Sequence, residues 1–466
     1  MRDVTAHQKE VPLMWVMIPS LHHLVQNLTP VFTEPTFHTH CQLLLGWLMC
    51  LSARNPYRVC QTIHADREIP RAQRHPFDRF YNFFSRSAWT AADLAHHVAV
   101  LVVSHLNPAG LLYLVVDDTL LHKRGKKVWG IGWFRDAAAS TRKRTATASG
   151  HNWVVLGLAV PLPWDPDRIL CLALNCRLHR PGKGQSSCPA LARQMLDEVL
   201  GWFPGRSVVL IGDGAYASKA VLEGLDSRAE FVGRLRGDAA VYDPQPRRVP
   251  KGRPGPKPKK GPRLPSPREV AAKADRQRSG RGPWVWQAVQ ATAYGRTRAL
   301  RVLSYRAVWP RVTGLVPVQV VVVRDVAGKM DDIYLFTTAV EASVTWVVET
   351  FAKRWSVEVL FRASKQELDI EAPQHWCQQS VEKVAPWVWL MQSVISVWYV
   401  TEGHTLPEAA EVEALMGPWD SDCSLRHMIQ VLRRATLSAS INNNSGDADD
   451  IARSLEILKN CVNLAA

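Results

Sequence analysis

"LLYLVVDDTLLHKRG", Leu111 to Gly125, is the stretch on which the reading of this chain turns. From Leu111 to Val116 it has no charged residue, the pattern of a strand covered on both faces. It ends in two adjacent acids, Asp117 and Asp118, and a basic turn in which Lys123, Arg124, Lys126 and Lys127 follow. A buried strand that delivers carboxylates at its end, with cations just beyond, puts acid chemistry next to a surface suited to phosphate.

Further strand-like runs follow in "KVWGIGWF", "NWVVLGLAV" and "RILCLALNCRL", then a helix in "ALARQMLDEVLGWF", then "SVVLIGDGAY" and "AEFVGRLRGDAAVY". Strands, a helix and further strands with acids at strand ends predict a mixed α/β sheet. Upstream, residues 36–107 read as helices, and the aromatics of "FDRFYNFFSRSAW" recur at the spacing of a packed core. Residues 244–283 are rich in Pro and Gly and hold 13 basic residues against Glu269 and Asp275. Such a segment is expected to bury no core, to be flexible or extended, and to touch phosphates nonspecifically. Strands return in "WVWQAVQATAY", "ALRVLSY", "VPVQVVVVRD" and "DIYLFTTAV", a β-rich insertion. Helical segments run from Pro373 to about residue 436, with a polar break at "INNNSGDADD" before a short final helix. No internal repeat is seen.

Composition sets the class. The chain has 466 residues, 47% of them hydrophobic and 18 of them tryptophan, which allows a sizeable core in several structural units. Lys and Arg number 57 against 42 Asp and Glu, and the net charge of +15 is the footprint of a protein that meets nucleic acid or another polyanion. Nine cysteines without a C-x-x-C pair argue against a disulfide framework and a zinc ribbon, and fit a reducing cytosol. The N-terminus lacks the features of a signal peptide, and the apolar runs are too short to span a bilayer. The expected location is cytoplasmic.

The second acid-bearing strand end is "VVLIGDGAY", where Asp213 sits between Gly212 and Gly214; glycine lets an ion or phosphate oxygen approach the backbone. The third is "FAKRWSVEVLFRASK", Phe351 to Lys365. At 100° per residue Phe351, Arg354, Glu358 and Lys365 share a stripe about 60° wide. Taken alone, that stripe is equally an ordinary i,i+4 ion pair worth a few tenths of a kcal/mol. Combined with two strand-end aspartates, Glu358 completes the set of oxygen ligands that a hard cation such as Mg²⁺ needs. Two such ions activate an attacking hydroxyl and stabilise a leaving oxygen. Arg354 and Lys365 would then hold DNA phosphates.

In this order "VVDDT", "GHNWVVLGL", "IGDGAY", "RLRGDAAVY" and "RWSVEVLFRASKQELDI" resemble the DDE transposases of bacterial insertion sequences. They are most similar to the branch with a Y-x2-R-x3-E-x6-K helix and a β-rich insertion in the catalytic domain. The resemblance implies a ribonuclease H-like fold with Asp118, Asp213 and Glu358 as catalytic, metal-binding triad, since in that branch the first acid directly precedes the threonine. Strand alternation does not arbitrate between Asp117 and Asp118, because both faces of this strand are apolar. Arg354 and Lys365 match the basic positions, whereas Phe351 stands where the family has tyrosine. His151 in "GHNW" reads as a satisfied core histidine and also as a candidate DNA contact. Phe351, Lys123, Arg124 and Arg144 are further candidate DNA contacts. Some relatives stack a flipped base on a tryptophan of the insertion; Trp284, Trp286 and Trp309 lie in that region, but each reads first as core.

The expected organisation is a helical N-terminal DNA-binding domain (1–107), a first part of the catalytic core (108–243), the basic loop and β-rich insertion (244–340), a second part of the core (341–400) and a helical C-terminal region (401–466). The expected function is a DNA transposase using Mg²⁺, with Mn²⁺ as an alternative, acting on double-stranded DNA at terminal inverted repeats and on target DNA as a homodimer, without membrane association. Rival readings are a catalytically inactive DNA-binding derivative and a metal-dependent nuclease.

Overall fold

The computed structural model of the chain describes residues 15–63, 75–141, 143–246, 259–277, 282–293, 295–415 and 423–443. Much of the basic segment, residues 247–258 and 278–281, and the expected final helix lie outside them. Two compact units form, one from Met1–His97 and Ala363–Ala466, the other from Val98–Arg362.

The first unit is helical: α1 (Pro19–Gln26), α2 (Glu34–Met49), α3 (Pro56–Ile63), α4 (His75–Ser85), the start of α5 (Ala91–Leu106), the end of α10 (Trp355–Glu367), α11 (Gln378–Thr401), α12 (Pro407–Leu415) and α13 (Leu425–Asn443). Its core uses the tryptophans. Trp47, Trp387, Trp389 and Trp398 are buried, and each indole N–H finds an acceptor: Leu368 O, His40 Nδ1, Ser364 Oγ and Ser20 Oγ respectively, at 2.9–3.1 Å. A buried indole needs such a partner, so each ring also specifies its packing. Among the described residues α11 is long and apolar enough to cross a membrane, contrary to the expectation that no run is. Its apolar window is 94% buried within the protein, as in a core helix.

The second unit is built on a sheet of ten strands among the described residues. β1 (Leu112–His122) pairs antiparallel with β3 (Ala146–Leu162) and parallel with β5 (Val208–Gly212). β4 (Asp165–His179) and β2 (Gly132–Asp136) pair antiparallel with β3, and β6 (Ala229–Arg234) pairs parallel with β5. The order β4-β3-β1-β5-β6, an antiparallel meander joined to parallel strands, is a ribonuclease H-like mixed sheet. α6 (Cys188–Trp202) lies between β4 and β5 in the chain, and Ser187 caps its first turn. The short α7 (Lys219–Leu222) follows the β5 turn.

The strands expected in a β-rich insertion make no sheet of their own. β7 (Gln287–Ala293), β8 (Arg296–Val308), β9 (Pro317–Asp325) and β10 (Ile333–Thr337) run antiparallel, and β10 pairs with β6, so they continue the same sheet. Nor is the basic segment wholly extended. α8 (Pro267–Arg276) opens with Ser266 accepting from the Glu269 N–H while Glu269 accepts from the Ser266 N–H. It buries Val270, Ala271 and Ala274 against Leu303 and Val322. The signal was present as "SPRE", a capping box with proline in the first turn.

Gly150 joins three strands: it is opposite His122 on β1 and Gly132 on β2. A Cβ there would come within 2.2 Å of the Leu121 carbonyl oxygen, a backbone atom that cannot rotate away. Gly150→Ala is therefore expected to destabilise the unit by roughly 1–3 kcal/mol, the usual cost of overpacking, read as a lowered urea midpoint. An unchanged midpoint would show that the junction has room.

Candidate active site

β1 and β5 run side by side with Leu112 opposite Val208 and Val116 opposite Gly212. One residue further along that register, Asp117 and Asp213 come level on neighbouring strands, which lie about 4.8 Å apart. Asp213 heads a turn in which its Oδ1 accepts from the Ala215 N–H at 2.8 Å. Gly212 is needed here for packing, since a Cβ would lie 2.9 Å from that of Tyr216; at Gly214 the nearest atom would be 3.9 Å away, leaving the approach open.

The third carboxylate comes from the helices that close the unit. The continuous helix expected at Phe351–Lys365 is two, α9 (Val344–Ala352) and α10. They meet in a tightened turn in which Lys353, Arg354, Ser356 and Val357 donate N–H groups to carbonyls three residues back. Arg354 stands in that turn. One guanidinium nitrogen donates to Asp117 Oδ2 at 2.9 Å and the other to Glu358 Oε1. The Arg354 and Asp117 side chains are 18% and 17% exposed and Glu358 36%, so the Arg354–Asp117 contact, rather than the i,i+4 one, leaves the regime of a solvated ion pair.

Burial pushes the Asp117 carboxyl up to about 7; Arg354 pulls it down, while Asp213 and Asp118 push it up. For Arg354, burial opposes the charge, yet Glu358, Asp117 and Asp213 outweigh it and hold the group above its usual value. Two carboxylates thus share one guanidinium, in the field of a third.

Asp118, which the resemblance pointed to, faces the other way. Its Oδ1 accepts from Tyr216 Oη and its Oδ2 from Asn152 Nδ2, each at 3.0 Å. Asn152 Nδ2 also reaches Cys188 Sγ at 3.5 Å. Neighbours on a strand point to opposite faces, so Asp117 and Asp118 cannot both join Arg354. Burial, followed by the fields of Asp118 and Asp117, pushes the Tyr216 hydroxyl far up, so it stays a donor. The bond braces the Asp213 turn against β1. Tyr216 was missed in the sequence; its only signal was the "IGDGAY" motif itself.

The remaining candidates have the following surroundings. Phe351 is buried on α9. Lys365 belongs to the first unit, its Nζ 3.7 Å from Glu371. His151 is buried, with Nε2 on the Trp129 carbonyl at 2.9 Å. Lys123 is also buried, while Arg124 and Arg144 are exposed. Trp284 and Trp286 pack on the α8 cluster, and Trp309 meets Phe336 edge-on.

A family model described as a DDE superfamily endonuclease matches residues 27–298, more than half the chain. The chain belongs to this family. The matched span contains Asp117, Asp118 and Asp213; Glu358 lies beyond it. Among solved structures, this DDE endonuclease is similar to a piggyBac transposase synaptic complex with hairpin DNA, at 10% identity, covering 94% of this chain and 80% of that one with a TM-score of 0.40. No curated protein matches the chain.

Among the described residues no three His, Cys, Asp or Glu side chains converge on a common point for a metal. Asp117, Asp213 and Glu358 offer only carboxylate oxygens, the donor type that a hard divalent cation takes, with the Arg354 guanidinium bound to two of them.

His151 provides a pH test away from the acids. Burial first, then the field of Lys123, lower it from 6.5 to about 4 against the pull of the Trp129 carbonyl. Between those values the unfolded chain binds the extra proton, so stability rises with pH across the window and is lost as pH falls from 6.5 towards 4. His151→Gln should flatten that part of the urea-midpoint profile; a slope that survives the substitution assigns the linkage to other groups.

Proposed function

We propose that this DDE endonuclease is a DNA transposase whose metal ligands are Asp117, Asp213 and Glu358. The observation that supports this most is the guanidinium of Arg354 shared by Asp117 and Glu358, with Asp213 level with Asp117 on the next strand. Divalent cations bound there, Mg²⁺ or Mn²⁺, supply activation of the attacking hydroxyl and stabilisation of the leaving oxygen. The chain's own residues set the geometry. β1 and β5 hold their two acids at fixed spacing, α10 brings Glu358 to them, and Arg354 keeps the carboxylates from repelling one another apart. Asp118, between Tyr216 and Asn152, holds the Asp213 turn and touches no substrate. Arg124 and Arg144, exposed on the same unit, contact phosphates and orient the strand.

In this reading the enzyme nicks double-stranded DNA at terminal inverted repeats and joins the freed 3′-hydroxyls to target DNA, as a homodimer because two ends must react. The cytoplasm is the expected compartment. A nuclease that never joins strands uses the same residues, and a strand-transfer assay separates the two.

The assignment of the first acid is tested by isosteres. With terminal DNA and Mg²⁺, Asp117→Asn should lower the nicking rate at least about a hundredfold, whereas Asp118→Asn should cost less than about tenfold, because one carbonyl oxygen still accepts from Tyr216. The reverse order would return the metal to Asp118.

A further inference from the structure

The sheet ends in two unlike edges. At one end β4 opens with Asp165, Pro166 and Asp167 and its pairing with β3 shifts register twice, while β2 carries Arg135 and Asp136. Charges, proline and bulges are the devices that keep a strand edge from pairing with another chain. At the other end β7, "QAVQATA", has no charge and no proline, and its register with β8 is unbroken from Gln287 to Ala293. Gln287, Ala288 and Gln290 are exposed.

Thr292 shows which way this edge points. Its N–H donates to Glu349 Oε1 at 3.0 Å, away from Thr297, its opposite on β8. Along an antiparallel pair, residues that exchange both backbone bonds alternate with residues that turn theirs outward. Gln290, opposite Ala299, and Ala288, opposite Arg301, are therefore turned outward like Thr292. Among the described residues no strand meets them on that side. The open stretch is closed at one end by the Glu349 carboxylate and at the other by the start of β7 at Gln287.

We propose that β7 pairs antiparallel with β7 of a second copy of this chain, about a two-fold axis at Val289, so that one sheet runs through both copies. The stretch is self-complementary. With Val289 on the axis, Ala288 of one copy faces Gln290 of the other, and each such pair exchanges both backbone bonds. No like charges oppose one another along it. The same axis sets Thr292, with the Glu349 carboxylate on its N–H, opposite Trp286 of the other copy. Arg301, exposed, holds its guanidinium carbon 5.3 Å from the centre of that indole. The acid that closes one strand thus comes beside a cation at the start of the other, a match that favours a second copy over an unrelated extended segment. The inference rests on the homodimer of the proposed function and gives it a surface; the acid cluster plays no part in it.

Sedimentation equilibrium of the full chain, without DNA or metal, tests it. Wild type should be a reversible dimer. Gln290→Pro should raise the dissociation constant at least about tenfold with an unchanged urea midpoint, because the lost N–H serves no bond to β8 and proline is tolerated on such an edge. Gln290→Ala, which keeps the backbone donor, should stay within about threefold of wild type. Val289→Cys, facing its own copy at about 4.5–5.5 Å between Cβ atoms, should give a covalent dimer under oxidant above the wild-type background, and Thr297→Cys on β8 should not. If the Gln290→Pro midpoint falls, the cross-link decides. A wild type that stays monomeric, a dimer indifferent to Gln290→Pro, or equal cross-linking from positions 289 and 297 would each overturn the proposal. A dimer through β7 that never nicks DNA would refute the catalytic reading and leave this one standing.

Discussion

One guanidinium holds the candidate site together. Arg354 donates to Asp117 on β1 and to Glu358 on α10 and lies in the field of Asp213 after β5. On a solvated helix an Arg and Glu four residues apart contribute a few tenths of a kcal/mol, whereas breaking a buried charge pair costs roughly 3–5 kcal/mol. The low exposure of Arg354 and Asp117 puts this contact towards the second regime. The tight turn between α9 and α10 is what brings Arg354 to β1.

The rest of the site depends on register. Parallel pairing of β1 with β5 brings Asp117 and Asp213 level, and antiparallel pairing of β1 with β3 extends the same face towards β2. Glycines make both pairings close: Gly212 admits Tyr216, and Gly150 admits the Leu121 carbonyl. Tyr216 then ties the Asp213 turn back to Asp118. The two neighbouring aspartates thus point to opposite faces, Asp117 to Arg354 and Asp118 to Tyr216 and Asn152.

Much of this was legible before folding. The apolar run ending at Asp117, the Gly-Asp-Gly turn at Asp213 and the charged stripe around Glu358 located three chain segments that the fold brings into one unit, and the mixed α/β class followed from the strand order. The different surroundings of Asp117 and Asp118 were not legible, because a strand covered on both faces carries no polar alternation to mark its sides. Nor was the break before α10, since a three-residue turn leaves the i,i+4 spacing of Arg354 and Glu358 intact. Lys365 follows Glu358 on the same helix, where its Nζ lies 3.7 Å from Glu371. The α8 capping box could have been read from "SPRE" and was hidden by the surrounding prolines and cations. That β10 would pair with β6 rather than close a separate sheet depends on contacts about a hundred residues apart, which local pattern does not encode.

The central claim is that Asp117, Asp213 and Glu358 hold one divalent-cation site. Iron-directed hydroxyl-radical cleavage of the protein tests it most directly, because Fe²⁺ in place of Mg²⁺ cuts the backbone only near where it binds. The account predicts cuts beside residues 117, 213 and 358, suppressed by excess Mg²⁺ and lost in Asp213→Asn. Cleavage confined elsewhere, or unaffected by Mg²⁺ and by the substitution, would contradict it.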